Sequence, residues 1–473
     1  MLCLAYGVLM RNARKMWAAL VAPALLLTGC SLLQSKASDQ GLAGVGDPYF
    51  PTYGNSGYDV AHYGLKVRFD PSSGRLDGTN TVRATATQPL DRFHLDLYGL
   101  TVATVTVDGQ PAEATREADE LIITPKAPIA KGAAFTAEIA YGGRPADTPE
   151  KDAENNGFFT SRRGAVAVGE PQSAAAWFPV NDHPSDKALY DIELTVPAGY
   201  SGISNGLLRG RSEQAGGWNS WQWQVTSPMA SYLALMAVGR YRVVQGEHKG
   251  KPMITAIAAK VPVGEADDNL ARTPEVADFL ETIAGPYPFD AYGGIVVADR
   301  RVEDEMESQT RPVYTAATWE DGPDTGILAH ELAHQWFGDS VSVATWQDIW
   351  LNEGFATYAE WLWLEHDGGP TLQQQYDQRY ADRKSELWEV PPGDPGREEI
   401  FSDSVYERGG MTLIALRKLV GDEKFSAILR TWTQRHRDGN ANTADFIALA
   451  EQTSGQQLDA FFDKWLYAKG RPS

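Results

Sequence analysis

Residues 330–339 read HELAHQWFGD, and residues 350–358 read WLNEGFATY. Residues i and i+4 of a helix share a face about one turn apart, so His330 and His334 would present two imidazoles to one cation. Imidazole is a preferred zinc donor, and Glu331 lies beside the histidines as a base able to take a proton from water at such a metal. The first stretch therefore predicts a helix that carries two ligands of a metal site.

Glu353 in the second stretch would supply a third ligand. Eighteen residues separate His334 from Glu353, which allows a helix end near Gly338, a reversal and a second helix that returns to the metal. Two histidines and one glutamate form a three-ligand zinc site whose fourth position is left for water. The sequence thus predicts one Zn²⁺ per chain, bound by His330, His334 and Glu353, with Glu331 as the general base.

The hydrophobic pattern divides the chain into two parts. Residues 48–245 alternate apolar and polar positions, for example over 62–70, with Gly, Pro and Asp between the runs. This period of two predicts an antiparallel β domain. From about residue 269 the period becomes helical, so 246–473 are expected to form a mainly α domain. The predicted helices cover 269–284, 325–337, 352–366, 404–420, 422–436, 443–453 and 456–468. The fold class is therefore α+β, with two domains and an active site expected in the cleft between them.

The N-terminal residues have the pattern of a bacterial export signal. Three basic residues within 11–15 precede an apolar run over 17–27, which is too short to span a bilayer, since a spanning helix takes about 20 residues. The run closes in Leu-Thr-Gly-Cys, which resembles the lipobox and implies cleavage before Cys30 and lipid attachment to its sulfur. We therefore expect 1–29 to be a lipoprotein signal peptide. A short uncleaved anchor and a plain secreted protein are the alternatives.

Residues 30–47 are then expected to form a polar tether, with the protein on the extracytoplasmic face of a membrane and held there by lipid alone. The second cysteine of the chain, Cys3, falls in the signal peptide, so the mature fold would contain no internal disulfide. A formal net charge of −20 argues against nucleic acid as a partner and against an electrostatic hold on anionic lipid. Such acidity is typical of a soluble exported domain.

The motif pair HELAHQWFGD and WLNEGFATY resembles the M1 family of zinc aminopeptidases, the gluzincins. The resemblance extends to Glu170-Pro171 followed by WFPVNDHP at 177–184, to GPYPF at 285–289 and to FFDKWL at 461–466. It covers nearly the whole chain after the tether and ends where the family's catalytic domain ends, which implies that the C-terminal domains of larger members are absent. It implies a saddle-shaped β domain, a thermolysin-like catalytic domain and a peptide as substrate.

The resemblance also implies roles for four further residues. Tyr406 opens Tyr-Glu-Arg-Gly, similar to the family's YEKG, whose tyrosine donates a hydrogen bond to the tetrahedral intermediate. Met306 and Glu307 lie where the family has GAMEN, whose glutamate binds the substrate's α-ammonium and whose loop lines the cleft. The two residues before Met306 are acidic here, where the family has Gly and Ala. Glu170 matches a second glutamate of the family that contacts the amine.

Together these residues predict an aminopeptidase, because Glu307 and Glu170 would hold the free N-terminus so that cleavage occurs one residue in. Two alternatives are a zinc endopeptidase or other hydrolase on the same scaffold, with a more open cleft, and a surface-binding lipoprotein with an inactive site. Intact Glu331 and Tyr406 count against the second. Asp348 is a further candidate, as a residue that contacts a metal ligand and orients it without binding the metal itself. The preferred side chain and the oligomeric state stay open.

Overall fold

The computed structural model describes residues 41–145, 157–320, 322–383 and 385–472. The predicted signal peptide, Cys30 and the first part of the predicted tether lie outside these residues. Within the described ranges, no helix is long and apolar enough to cross a membrane. The first half of the described chain is mostly strand and the second half mostly helix, in the order that the periodicity predicts.

An eight-stranded sheet is the largest element of the β domain. From one edge to the other its strands are Leu207–Gln214, Trp218–Met229, Ala188–Pro197, Tyr58–Asp70, Arg75–Ala86, Ala134–Gly143, Thr101–Val107 and Gln110–Pro111. Neighbouring strands are antiparallel, as predicted, apart from the pair Tyr58–Asp70 and Ala188–Pro197, which is parallel. The long segment 71–187 separates these two strands, and a parallel pair requires such a crossover.

The alternation in the sequence corresponds to alternating burial. Along Tyr58–Asp70 the apolar residues Tyr63, Leu65, Val67 and Phe69 are buried, and the positions between them are more exposed. One face of the strand thus packs into the core, as a period of two requires. The described β domain also has two smaller sheets, one of Phe93–Asp96, Glu120–Thr124 and Glu113–Glu117, the other of Ser201–Ile203, Met236–Gly239, Gly164–Val168 and Gly157–Ser161.

The catalytic part begins with a four-stranded sheet that is not among the predicted elements. Its strands are, in order, Tyr241–His248, Lys251–Ala258, Tyr292–Val297 and Val313–Thr315. The predicted domain boundary after residue 245 falls inside the first of them. Strand Tyr292–Val297 is buried throughout, so it has no alternation, and periodicity alone does not distinguish such a short apolar run from a buried helix.

Helices pack around this sheet. The α-helices are Glu265–Ala271, Thr273–Ala284, Thr325–Ala333, Trp350–His366, Leu372–Ala381, Gly409–Val420, Asp422–Arg435, Thr443–Ser454 and Asp459–Phe462, as far as the chain is described. Short 3₁₀ turns occur at Ala174–Ala176, Ser231–Leu233, Trp346–Asp348, Glu386–Trp388 and Arg397–Glu399, and π-helical turns at Ser404–Arg408 and Asp463–Tyr467. A parallel pair of short strands joins Val341–Val343 to Gly439–Ala441. Helix Leu372–Ala381 is not among the predicted helices; its composition is mostly polar, so it lacks an apolar stripe.

The end of the predicted tether packs against the folded body. Asp47 is 2 % exposed, and its carboxylate accepts hydrogen bonds from the backbone amides of Phe50 and Trp346 at 2.9 and 2.8 Å. His183 contacts the same carboxylate at 3.2 Å. Residues 41–47 therefore belong to the fold and not to the tether. A polar sequence does not show this, because the groups that bury Asp47 lie far along the chain.

Side-chain donors join the β domain to the catalytic part. The amide Nδ2 of Asn440 donates to the carbonyl oxygens of Pro184 and Val343 at 2.8 and 3.0 Å. The ammonium of Lys187 donates to the carbonyl oxygens of Asp339 and Ser340 at 2.8 and 3.0 Å. These contacts hold residues 184–187 of the β domain against Asn440 and against the segment that follows the predicted metal-binding helix.

Candidate active site

The helix Thr325–Ala333, here termed the histidine helix, begins at a side-chain cap. The Asp324 carboxylate accepts hydrogen bonds from the backbone amides two and three residues on, at 2.9 and 3.3 Å, which satisfies two donors that lack partners within the helix. The helix ends at Ala333 with His334 as its C-cap, and in the turn that follows Gly338 has a φ of 132°, a conformation that favours glycine. The rings of His330 and His334 lie one turn apart with centroids separated by 4.9 Å.

The helix Trp350–His366, here termed the glutamate helix, brings Glu353 to both imidazoles. The Oε2 atom of Glu353 lies 3.4 Å from Nε2 of His330 and 3.3 Å from Nε2 of His334, and the three ligand atoms all lie within 4.8 Å of one another. Ligands around a tetrahedral ion with bonds of about 2.0–2.1 Å are about 3.3 Å apart. All three side chains are buried. The metal triad, His330, His334 and Glu353, therefore fits one zinc ion.

Each imidazole of the triad is oriented through its other nitrogen. Nδ1 of His330 lies 3.2 Å from Oε2 of Glu360, and Nδ1 of His334 lies 3.0 Å from the carbonyl oxygen of Phe337. When Nδ1–H donates to these oxygens, Nε2 keeps its lone pair for a metal ion. Both rings are thus held in the orientation and tautomer that zinc requires.

Glu360 takes the role for which Asp348 is a candidate in the sequence. The Asp348 carboxylate instead accepts hydrogen bonds from Thr443 and Thr345 at 2.7 and 2.9 Å. It therefore ties two segments together, and in the part of the chain that the structure describes it contacts neither histidine. The sequence feature that could have indicated Glu360 is its spacing from Glu353. It follows Glu353 by seven residues, which is two turns along the same helix face.

Burial and mutual contact shift the pKa values of the triad in opposite directions. Burial by itself raises the pKa of Glu353, but the two histidines outweigh it and hold that pKa at about 2. Burial alone lowers the pKa of the imidazoles, yet the neighbouring carboxylates raise the pKa of both His330 and His334 to about 9. The site therefore favours positive charge at its centre, supplied by protons or by a metal ion that displaces them.

Glu331 lies on the histidine helix and lines the same cavity as the triad. It is 5 % exposed. Burial is the main cause that raises its pKa well above the usual range, and the carboxylates of Glu307 and Glu305 add to the shift. A carboxylate in this position can exchange a proton more readily than an exposed one.

Residues 306–313, here termed the anchor loop, contribute Met306 and Glu307 to the lining of the cavity that also contains the triad. Its ends are paired by backbone hydrogen bonds of 2.9 and 2.7 Å between Met306 and Val313. Glu307 is 2 % exposed, and its Oε1 accepts a hydrogen bond of 3.1 Å from the hydroxyl of Tyr232, which belongs to the β domain. Met306 is 4 % exposed and also lines the cavity.

Glu170, from the β domain, lines the same cavity as Glu307. Burial raises the pKa of both carboxylates, and the charge of Glu307 raises the pKa of Glu170 further. A cationic group beside them would relieve this repulsion, since an opposite charge favours the ionised form of a carboxylate. The two glutamates are therefore suited to an ammonium ion.

Tyr406 lies in the π-helical turn Ser404–Arg408. Its ring is nearly parallel to that of His330, with centroids 6.0 Å apart. The turn is held by Arg408, whose guanidinium donates to the carbonyl oxygens of Trp465 and Lys464 at 2.8 and 3.1 Å. Burial and nearby carboxylates raise the pKa of Tyr406 well above its usual value, so the hydroxyl keeps its proton and can donate it in a hydrogen bond.

All of the catalytic, substrate-binding and metal-binding residues predicted from the sequence line one cavity of about 1380 Å³; they are Glu170, Met306, Glu307, His330, Glu331, His334, Glu353 and Tyr406. Cys30, the predicted lipidation site, lies outside the described residues. The cavity walls also include Arg379 and Arg397, neither of which the motifs single out. Arg379 pairs with Glu407 at 2.7 Å, a contact between segments that no local pattern shows.

Two domain families match the chain. Residues 59–233 match the Peptidase M1 N-terminal domain, and residues 281–465 match the Peptidase family M1 domain. The solved M1 zinc metallopeptidase from Deinococcus radiodurans is 30% identical with a TM-score of 0.80, and the match covers 91% of this chain and 99% of that one. A mutant of the Deinococcus radiodurans enzyme bound to a Tyr-Ser-Ala substrate is 29% identical, with a TM-score of 0.81 and the same coverage.

Longer relatives match as well. Glutamyl aminopeptidase from Rattus norvegicus is 28% identical over 65% of this chain and 35% of its own length. The chain spans about a third to two fifths of the length of the first curated relatives it matches. The solved structures confirm the two-part fold of a mostly β domain followed by a helical catalytic domain, and the triad supplies the expected zinc ligands. The chain therefore belongs to the M1 family of zinc metallopeptidases.

Proposed function

We propose that this protein is a zinc aminopeptidase that removes N-terminal residues from peptides. The observation that carries the proposal is that Glu307 and Glu170 line the same cavity as the metal triad and Glu331. The charge of Glu307 raises the pKa of Glu170, and two carboxylates in such an arrangement bind a cation favourably; the free N-terminus of a peptide is such a cation. An aminopeptidase among the relatives and the peptide bound to the Deinococcus radiodurans mutant support a peptide substrate.

The residues of the cavity divide the chemistry between them. His330, His334 and Glu353 would hold a zinc ion, which would supply Lewis acidity at the scissile carbonyl and lower the pKa of a bound water molecule. Glu331 takes the proton of the attacking water and later gives it to the leaving amine. The Tyr406 hydroxyl donates a hydrogen bond to the negative oxygen of the tetrahedral intermediate.

Glu307 and Glu170 decide which peptide bond is cut. Both accept hydrogen bonds from the α-ammonium, so the first carbonyl of the substrate is the one that lies beside Glu331. Such fixed geometry is a large part of catalysis, since holding the reacting groups in place removes the entropy cost of bringing them together. A single residue is released in each turnover.

Steady-state rates with aminoacyl fluorogenic substrates, and with the same substrates acetylated at the amine, test the proposal. We expect acetylation to lower kcat/KM by about 100-fold or more, because it removes the positive charge that Glu307 and Glu170 would bind. If acetylated peptides are cleaved internally as fast as free ones, the protein is an endopeptidase. If the zinc-loaded protein hydrolyses neither, it is a surface-binding protein with an inactive site.

For the location, we propose a lipoprotein on the extracytoplasmic face of a membrane. The support is the export pattern of 1–29 and the lipobox-like residues that end at Cys30. Cys30→Ser should move the protein from the membrane fraction to the soluble fraction, because it removes the sulfur that carries the lipid. An unchanged membrane fraction would contradict this location.

A further inference from the structure

Gln335 follows the metal ligand His334 directly and is buried, with 0 % exposure. Its side-chain amide bridges two backbone groups of the anchor loop. Nε2 donates to the carbonyl oxygen of Glu307 at 2.8 Å, and Oε1 accepts from the backbone amide of Thr310 at 2.7 Å. One planar amide thus satisfies a donor and an acceptor of the loop at once, in the way a neighbouring strand would.

The far end of the anchor loop has an unusual backbone conformation. Thr310 has a φ of 66°, which is uncommon for a β-branched residue. Its hydroxyl oxygen accepts a hydrogen bond of 2.7 Å from the backbone amide of Gly206, and the Arg311 guanidinium donates to the carbonyl oxygen of the same glycine at 2.8 Å. The β domain therefore holds one side of the loop, while Gln335 holds the other side to the histidine helix.

We infer that Gln335 is a positioning residue that sets the distance between the amine-binding carboxylate and the metal centre. The inference rests on the proposed aminopeptidase function, which assigns the substrate's ammonium to Glu307. His334 and Gln335 are consecutive, so the Glu307 carbonyl is tied to the same turn that carries a metal ligand. Tyr232 orients the Glu307 carboxylate, but Gln335 locates the backbone from which that carboxylate extends.

Gln335→Met removes both hydrogen bonds to the loop, together with the longer bond of 3.4 Å that Oε1 accepts from the Tyr287 hydroxyl, and keeps the approximate length and volume of the side chain. It leaves the Glu307 carbonyl and the Thr310 amide buried without this partner, a cost the loop can relieve by moving away from the helix. We expect affinity for a free N-terminus to fall by roughly 10- to 100-fold. Zinc content should stay at one ion per chain, since Gln335 is not a ligand.

Asn440→Leu is the matched control. It removes an amide that also bridges two backbone groups between segments, the carbonyls of Pro184 and Val343, and Asn440 does not line the cavity. We expect it to lower thermal stability by an amount similar to Gln335→Met and to leave the recognition of the amine unchanged.

The test is calorimetry on zinc-loaded protein that also carries Glu331→Gln, which prevents turnover. The Kd of a dipeptide with a free amine is compared with the Kd of its N-acetylated form. Gln335→Met should shrink the ratio of the two affinities by roughly 10- to 100-fold, whereas Asn440→Leu should preserve it. If Gln335→Met does not fold, Gln335→Asn replaces it, because its amide is one methylene too short to reach both backbone groups.

Three negative outcomes are distinguishable. If the protein with Gln335 intact binds both dipeptides equally, Glu307 and Glu170 do not recognise the free amine, and the aminopeptidase proposal is contradicted as well. If that protein discriminates and the Gln335 variant discriminates equally well, Gln335 does not position the loop and the inference is overturned. A loss of affinity for both dipeptides by the same factor would also overturn it, since that result indicates general damage to the cavity.

Discussion

The metal triad and the amine anchor, which consists of Glu307 and Glu170, line one cavity, but different kinds of structure position them. His330, His334 and Glu353 come from two successive helices of one domain, and their geometry follows from helical spacing. Glu170 comes from the β domain and Glu307 from a loop of the catalytic part. The triad is thus set by local structure, whereas the anchor depends on how the two parts of the chain pack together.

This difference implies that the two halves of the site can be damaged separately. A change at the metal triad or at Glu331 should alter metal binding or proton transfer and leave the preference for a free N-terminus unchanged. A change in the anchor should alter that choice and spare the metal. The predictions below test this separation.

The largest effect is expected at the base. Glu331→Gln should lower kcat by about 10²–10⁴-fold, because the amide cannot take the proton from water. Zinc content and the binding of a free-amine dipeptide should be retained, since the triad and the anchor are unchanged. Metal analysis and calorimetry measure both. Near-normal turnover in this variant would remove Glu331 from the mechanism.

Next is the anchor. Glu307→Ala should lower kcat/KM for free-amine substrates by about 100-fold, as expected when one partner of a buried charge pair is truncated. The same change should cost little on N-acetylated substrates, so the two alterations should be non-additive. Glu303→Ala is the matched control, since Glu303 is an exposed acid of the same segment and does not line the cavity. An equal loss on both substrates would assign Glu307 to the chemistry instead.

A smaller effect is expected at Glu360, which contacts the metal ligand His330. Glu360→Gln should weaken zinc binding by about 10- to 100-fold, because its carboxylate orients His330 and such partners tune ligand basicity. Competition with a chromogenic chelator measures the zinc affinity. The preference for free over acetylated amines should be unchanged at saturating zinc. Glu365→Gln serves as the control, since Glu365 is exposed on the same helix; equal zinc affinity in both variants would contradict the role of Glu360.

The smallest effect is expected at the start of the histidine helix. Asp324→Ala removes the side-chain cap and should lower the free energy of unfolding by about 1 kcal/mol. Zinc content and amine preference should not change, because the cap is about two turns from His330 along the helix. Urea denaturation gives the stability. A reduced zinc content would show that fraying of this end reaches the ligands.

The sequence by itself determined the metal half of the site. An i, i+4 histidine pair, the glutamate between them and a third ligand on the next helix are consequences of helical spacing, which any folded context preserves. The alternating strands of the β domain could be predicted from the sequence for a similar reason, because a period of two sets which face is buried. Tyr406, Met306, Glu307 and Glu170 were located by their resemblance to family motifs, since no local period marks them.

Only the tertiary structure decided what surrounds those residues. It pairs Glu360 with His330 and excludes Asp348, and it shows that residues 41–47 pack into the fold. It places Tyr232 on Glu307 and the Gln335 amide across the anchor loop. Each of these contacts joins groups that are distant in sequence or depends on which way a buried side chain turns. Local periodicity carries no information on such contacts, because they are set by the packing of one segment against another.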